Sequence, residues 1–108
     1  MFARMTQVTA KSSQSPEFRS TLERAMSTLR QQPGCVDVVA LNSEDKPNEF
    51  VGISFWKSKE DAEKYMAGSA QQILQAIKAV TQGDPVIRSF NVEISTAHGL
   101  GIGRSAAS

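Results

Sequence analysis

The sequence predicts an α+β fold in which helices cover one face of a four-stranded antiparallel sheet, in the order β-α-β-β-α-β. Three observations predict it. Short runs rich in β-branched and aromatic residues alternate with capped amphipathic stretches along the chain. The stretch Phe50 to Met66, FVGISFWKSKEDAEKYM, passes straight from a strand into a helix. The two middle strands are joined by a short polar connection, which fits an antiparallel hairpin.

Phe2 to Thr9 reads as the first strand. Phe2, Arg4, Thr6 and Val8 share one face and Ala3, Met5 and Gln7 the other. Neither face is cleanly polar, so the strand is expected to be covered on both sides or to line a cavity. Ser15-Pro16-Glu17 opens the first helix, with Ser as N-cap, Pro at the first helical position and Glu on the positive helix end. Phe18, Leu22, Ala25, Met26 and Leu29 follow at helical spacing, and Pro33-Gly34 stops the helix. Cys35 to Leu41 is the second strand, Asn42 to Asn48 the connection, and Phe50 to Trp56 the third strand.

Ser58 is placed to cap the second helix, and Asp61 three residues on makes a capping box with a short acid. Ile73, Leu74, Ile77 and Val80 continue an apolar face beyond Gly68-Ser69, which marks a kink or a break between two helices. Gly83-Asp84-Pro85 reads as a stop. Val86 to Ile94 is then the fourth strand, with Val86, Arg88 and Phe90 alternating against Ile87, Ser89 and Asn91. Residues 1–95 are expected to form the domain. Residues 96–108, rich in Gly, Ala and Ser, are expected to be a tail.

This order is the ferredoxin-like arrangement of two βαβ halves. With helices on one face, the other face of the sheet still carries apolar side chains, and a second copy packed sheet to sheet would cover them. A homodimer is expected.

Composition narrows the function. The chain has 108 residues, 12 Lys plus Arg against 11 Asp plus Glu, and a single Cys. The charge balance disfavours nucleic acid and anionic membranes as partners. One cysteine permits no internal disulfide, and the N-terminal stretch has no signal-like apolar region; a soluble cytoplasmic protein is expected. No His, Cys and carboxylate cluster has metal-ligand spacing, so no protein-bound metal is expected.

The element order, the Pro-Gly before strand two and the run Phe55-Trp56-Lys57-Ser58-Lys59-Glu60 resemble the antibiotic biosynthesis monooxygenase (ABM) domain family of the dimeric α+β barrel superfamily. The resemblance covers about residues 1 to 94. It implies a pocket between the helices and the concave sheet of each subunit. It also implies cofactor-independent oxidation of an electron-rich quinol or polyphenol, which is deprotonated in an apolar site and itself reduces dioxygen. Haem-degrading relatives are similar around Trp56 to Lys59. They use a strand-one Asn, a helix-two Trp and a later His, where this chain offers Gln7, Tyr65 and Gln75. No Asn is found here for the role that one often plays in the polyketide oxygenases. The alternatives are a non-catalytic dimer that binds a small hydrophobic or aromatic ligand, and haem binding through Tyr65 or His98.

No catalytic residue is assigned. The expected pocket residues are Trp56, Tyr65, Arg4, Arg88 and Met66. Trp56 is either a core anchor for the strand end or a pocket wall with its N–H toward substrate. Tyr65 either orients a phenol or carbonyl or reaches solvent. Arg4 and Arg88 either hold an anionic phenolate or form ion pairs, with Glu93 or Asp37 as partners. Met5, Met26 and Met66 are adaptable filler that also suits flat ligands. Cys35 reads as structural. His98 would act as a base only if the tail folded over the pocket, and no Ser-His-Asp set is expected.

Overall fold

A computed structural model describes residues 1–98. The elements are β1 (Phe2–Ala10), α1 (Pro16–Arg30), β2 (Cys35–Asn42), β3 (Glu49–Trp56), α2 (Lys59–Ala67), α3 (Ala70–Val80) and β4 (Thr81–Asn91). The strands form one antiparallel sheet in the order β2-β3-β1-β4, the ferredoxin-like order with both β2 and β4 at edges. The expected tail is described only as far as His98; residues 99–108 lie outside the described residues.

Local chemistry places the helices. The Ser15 hydroxyl accepts the Phe18 N–H at 3.4 Å, and Pro16 occupies the first turn of α1. The Ser58 hydroxyl accepts the Asp61 N–H at 3.2 Å and donates to the Asp61 carboxylate at 3.1 Å. The short acid thus stays on the cap side chain. Gly34 bends the chain at φ +82°, and a Cβ there would run into the Asp61 side chain. Its carbonyl accepts the Lys57 N–H at 2.9 Å. The Pro-Gly turn and the Trp-Lys-Ser segment, far apart in sequence, therefore form one corner of the fold.

The chain breaks at Gly68-Ser69 into two helices, the second of the two expected alternatives. Two expectations need correction. α3 runs directly into β4, which begins five residues earlier than expected. Gly83-Asp84-Pro85 does not stop the chain. It forms a bulge inside β4, where the register on β1 shifts between Gln7 and Thr9 and Gly83 takes φ +66°. Pro85 is tolerated because β4 is an edge strand.

The buried core is split. One cluster joins Phe2, Cys35, Trp56 and Ala62, and the other joins Ala10, Phe18, Phe50 and Val80. Strand register puts them at opposite ends of the sheet, since Phe2 faces Trp56 and Val8 faces Phe50. The sheet face away from the helices exposes Leu41 (49%), Val86 (52%) and Phe90 (41%), with Val39, Val51 and Ile53 on the same side.

Candidate active site

The helix-facing side of β3 reads Phe50, Gly52, Ser54, Trp56: a large ring at each end and little between. Phe50 packs on Phe18 of α1, ring centroids 4.8 Å apart. Trp56 stacks on Tyr65 of α2 at 5.5 Å. These two pillars hold the helices off the sheet. In the row between them, Ala40, Gly52 and Thr6 are too short to fill the gap, and Ile87 stands at the edge of the sheet.

A cavity of about 110 Å³ results. Ile73, Leu74 and Ile77 of α3 and Leu22 and Met26 of α1 line it from the helix layer, and Thr6, Gly52 and Ala40 lie on the sheet side. Arg4, Ser54, Trp56 and Tyr65, with Met66, line the end nearer the second pillar. A shallower depression beside Gln71, Gln75, Lys78 and Asp84, at the α3–β4 seam, shares Leu74 and Ile87 with the cavity.

Four of the five expected pocket residues, Trp56, Tyr65, Arg4 and Met66, line this cavity. Arg88 does not. It lies opposite Met5 on the other face of the sheet, its guanidinium 5.0 Å from the Phe90 ring. Both faces of β4 carry apolar residues, so alternation alone does not fix which face is inward; pairing with β1 does, and it turns Ile87 inward.

The polar end is specific in its bonding. The Trp56 indole N–H donates to the Ser54 hydroxyl at 2.9 Å, and that hydroxyl donates to the Arg4 carbonyl at 3.5 Å. The indole N–H is thus occupied and does not point at a ligand. Arg4 donates through Nε to Ser89 Oγ at 3.3 Å and lies 5.3 Å from the Phe2 ring. Among the described residues no carboxylate lies within ion-pair distance of it. Burial pushes the Tyr65 phenol up to about 12, and the neighbouring Cys35 adds to the shift. Burial also raises the Cys35 thiol, partly offset by Arg30. Near neutral pH both keep their protons, so Tyr65 is a hydrogen-bond donor and not a base. Among the described residues, no Asp, Glu, His or Lys lines the cavity.

His98 is not over the cavity. Its ring sits 4.9 Å from Phe55, which projects from the opposite face of the sheet. Its Nδ1 is 3.0 Å from Ser95 Oγ, and its Nε2 is 3.7 Å from Asp37 Oδ2. A Ser, a His and an Asp therefore do meet, against expectation. Yet the carboxylate lies beyond hydrogen-bond length, and the serine hydroxyl also accepts the backbone N–H of His98, closing a local turn. The grouping is a turn without a substrate cleft. No three metal-ligating side chains cluster among the described residues, and no described helix is long and apolar enough to cross a membrane.

Sequence reading missed Gly52, Ser54 and Thr6. The signal was present, because period-two alternation from Trp56 puts Ser54 and Gly52 on its face.

The fold and site define a class: a ferredoxin-like domain with an apolar chamber between its helices and its sheet. The sequence profile of the antibiotic biosynthesis monooxygenase family matches residues 1–79, and the chain belongs to that family. Similar solved structures include SnoaB, a cofactor-independent oxygenase from Streptomyces nogalater (21% identity, 88% of this chain and 95% of that one, TM-score 0.75). They also include Rv0793 from Mycobacterium tuberculosis (11%, 88% and 97%, 0.73) and an antibiotic biosynthesis monooxygenase (17%, 85% and 98%, 0.73). At these identities the likeness is one of fold. A search of curated protein sequences gave no significant match.

Proposed function

We propose that the protein is a small cofactor-independent monooxygenase of an electron-rich quinol or polyphenol. The observation that carries this reading is the apolar cavity between helices and sheet with polar groups at one end, in a chain of this family. A phenolate at that end would be held by the Arg4 guanidinium and by a hydrogen bond from the Tyr65 hydroxyl. In apolar surroundings its electrons are held less tightly by solvent and pass more readily to dioxygen. For a ring methylene para to the phenol, the sum is CH₂ + O₂ → C=O + H₂O. One oxygen atom stays in the carbonyl and the other leaves in water. With no carboxylate or imidazole in the cavity, no side chain takes the proton as a base, and ionisation follows the substrate's own acidity as Arg4 and Tyr65 shift it. Residues 1–95 form the working unit in this reading. Pairing of two copies through the exposed sheet face would bury Leu41, Val86 and Phe90, and the protein would act in the cytoplasm.

The test is dioxygen uptake by the purified protein with a panel of hydroquinones and anthrones, against boiled and chelator-treated controls. Uptake that needs intact protein and survives chelation is expected. No uptake across the panel would overturn the enzymatic reading.

One observation favours a second reading. The same lack of a base in the cavity suits a protein that binds a small aromatic ligand without turning it over. That reading expects saturable binding with no uptake. The haem alternative draws less support: His98 lies on the far face of the sheet from the cavity.

A further inference from the structure

The open face of the sheet is not bare along its whole length. The strand order is β2-β3-β1-β4, and just beyond β4 the Val92 N–H donates to the Met1 carbonyl at 3.0 Å. A few residues on, the His98 ring lies on Phe55 of β3 and its Nε2 faces Asp37 of β2. Asp37 and Phe55 are paired across their strands, so both project from the open face. A segment that leaves one edge strand and ends on the other has crossed β1 and β3. That span is three strand spacings, about 14 Å. The seven residues from Asn91 to His98 reach about 23 Å when extended, which leaves slack for the turn closed by Ser95 and His98.

The middle of this segment is loosely held: Glu93 is exposed, and Ile94 is 65% exposed. The His98 side chain, by contrast, is 12% exposed. Asp37 is set to receive it, with Oδ1 accepting the Val38 N–H at 2.9 Å and Oδ2 lying 3.7 Å from the imidazole. At that distance a neutral ring makes no hydrogen bond, whereas a charged one makes an ion pair. To the ring, β3 presents the uncharged Phe55, β2 the Asp37 carboxylate and its own segment the Ser95 hydroxyl, while Glu93 faces solvent.

We infer that residues 92–98 are a self-blocking strap: latched by His98 on Asp37, they keep a second copy off the Phe55 end of the open sheet face, and the latch loosens as His98 loses its charge. This rests on the proposed pairing of two copies through that face and adds what regulates it. Two sheets packed face to face stand about 10 Å apart, a gap that their own side chains fill. A further layer of peptide does not fit into it, so the strap and a second copy exclude each other. Acid therefore favours the closed strap and the single chain, and neutral pH favours the pair.

Sedimentation equilibrium of the unaltered full chain, Asp37→Asn and His98→Gln at about pH 5.5 and about pH 7.2 tests this. The chain holds a single histidine, the side chain that ordinarily changes charge in this range. The upper value stays below the range in which an α-amino group ordinarily loses its proton. A partly exposed ion pair is worth about threefold in an equilibrium, and pairing opens two straps. The dissociation constant of the unaltered pair should therefore be about tenfold higher at the acid pH. Each variant should differ less than about twofold between the two conditions and should pair more tightly than the unaltered chain in acid. Asn at position 37 keeps an acceptor for the Val38 N–H, so its effect reports the charge. A tenfold difference that persists in His98→Gln would overturn the inference, as would tighter pairing of the unaltered chain in acid. If all three proteins stay monomeric at every concentration, the pairing reading falls, and this inference with it; a pair indifferent to pH removes the inference alone.

Discussion

Replacing Trp56 with Phe separates two jobs that a ring at the end of this cavity can do. As a pillar, Trp56 is 1% exposed, stacks on Tyr65 and donates to Ser54. Removing the outer part of the indole leaves a void of about 40 Å³, which costs about 1 kcal/mol. Losing the hydrogen bond costs about another 1 kcal/mol, since Ser54 keeps its own donation to Arg4. The sum, about 2 kcal/mol, lowers the melting temperature of a domain this size by about 8 °C. Trp56→Ala should lose about 3–5 kcal/mol and approach unfolding. Far-ultraviolet circular dichroism during heating and in urea reads this without the tryptophan signal. Phenol affinity, read by calorimetry, should stay within about threefold in Trp56→Phe, because the substitution keeps an aromatic ring against Tyr65 and leaves both Arg4 and the Tyr65 hydroxyl in place. A loss below about 0.5 kcal/mol, together with a tenfold drop in affinity, would show that Trp56 is a ligand wall and refute the pillar argument.

Gly34→Ala should destabilise by about 1–3 kcal/mol, from a left-handed conformation and collision with Asp61; urea titration checks it, and a neutral result would contradict the corner geometry. Stability should fall as pH rises from about 10 to about 12, because the unfolded chain releases the Tyr65 proton before the folded one does. Tyr65→Phe should flatten that part of the difference curve, and identical curves for the two proteins would count against the burial of the phenol. Sedimentation should show the unaltered protein as a dimer and Leu41→Lys as a monomer at the same concentration, given a 49% exposed leucine on the open sheet face. Equal sedimentation coefficients for the two would remove that face as the interface. Any oxygen uptake should rise with pH along the ionisation of the substrate. The midpoint should move when the phenol is changed, and a midpoint fixed across substrates would require a base on the protein.

Much of the frame is legible in the chain because it is written in local chemistry. Ser15-Pro16 and Ser58 are caps whose reason lies within four residues, and FVGISFW alternates plainly. What escaped depends on pairing between distant residues. Arg88 and Ile87 are equally plausible inward residues by alternation, and only the register of β4 on β1 chooses between them. Gly83-Asp84-Pro85 carries every mark of a turn, yet the edge position of β4 absorbs it as a bulge. His98 falls in a stretch whose composition reads as tail, and its contact with Phe55 comes from tertiary geometry that composition does not encode. Ser54 and Gly52 were visible on the Trp56 face; they were passed over because small residues carry no chemistry by themselves.

The same four side-chain positions on β3 therefore build the fold and the chamber. Phe50 and Trp56 anchor the two separate core clusters, and Gly52 and Ser54 keep those clusters from merging. An unfilled hollow of about 110 Å³ costs on the order of 2–3 kcal/mol at the usual rate for residual cavities. That is a large part of the 5–15 kcal/mol by which a typical domain is stable. A molecule that fills the hollow restores lost contacts and stabilises by mass action, about 2.7 kcal/mol at a hundredfold excess over its Kd. For a domain of this size that is a rise of roughly 10 °C in melting temperature. Thermal shift against a panel of planar phenols thus reports occupancy whether or not turnover follows. The enzymatic and the binding readings agree on that signal and part only at oxygen uptake.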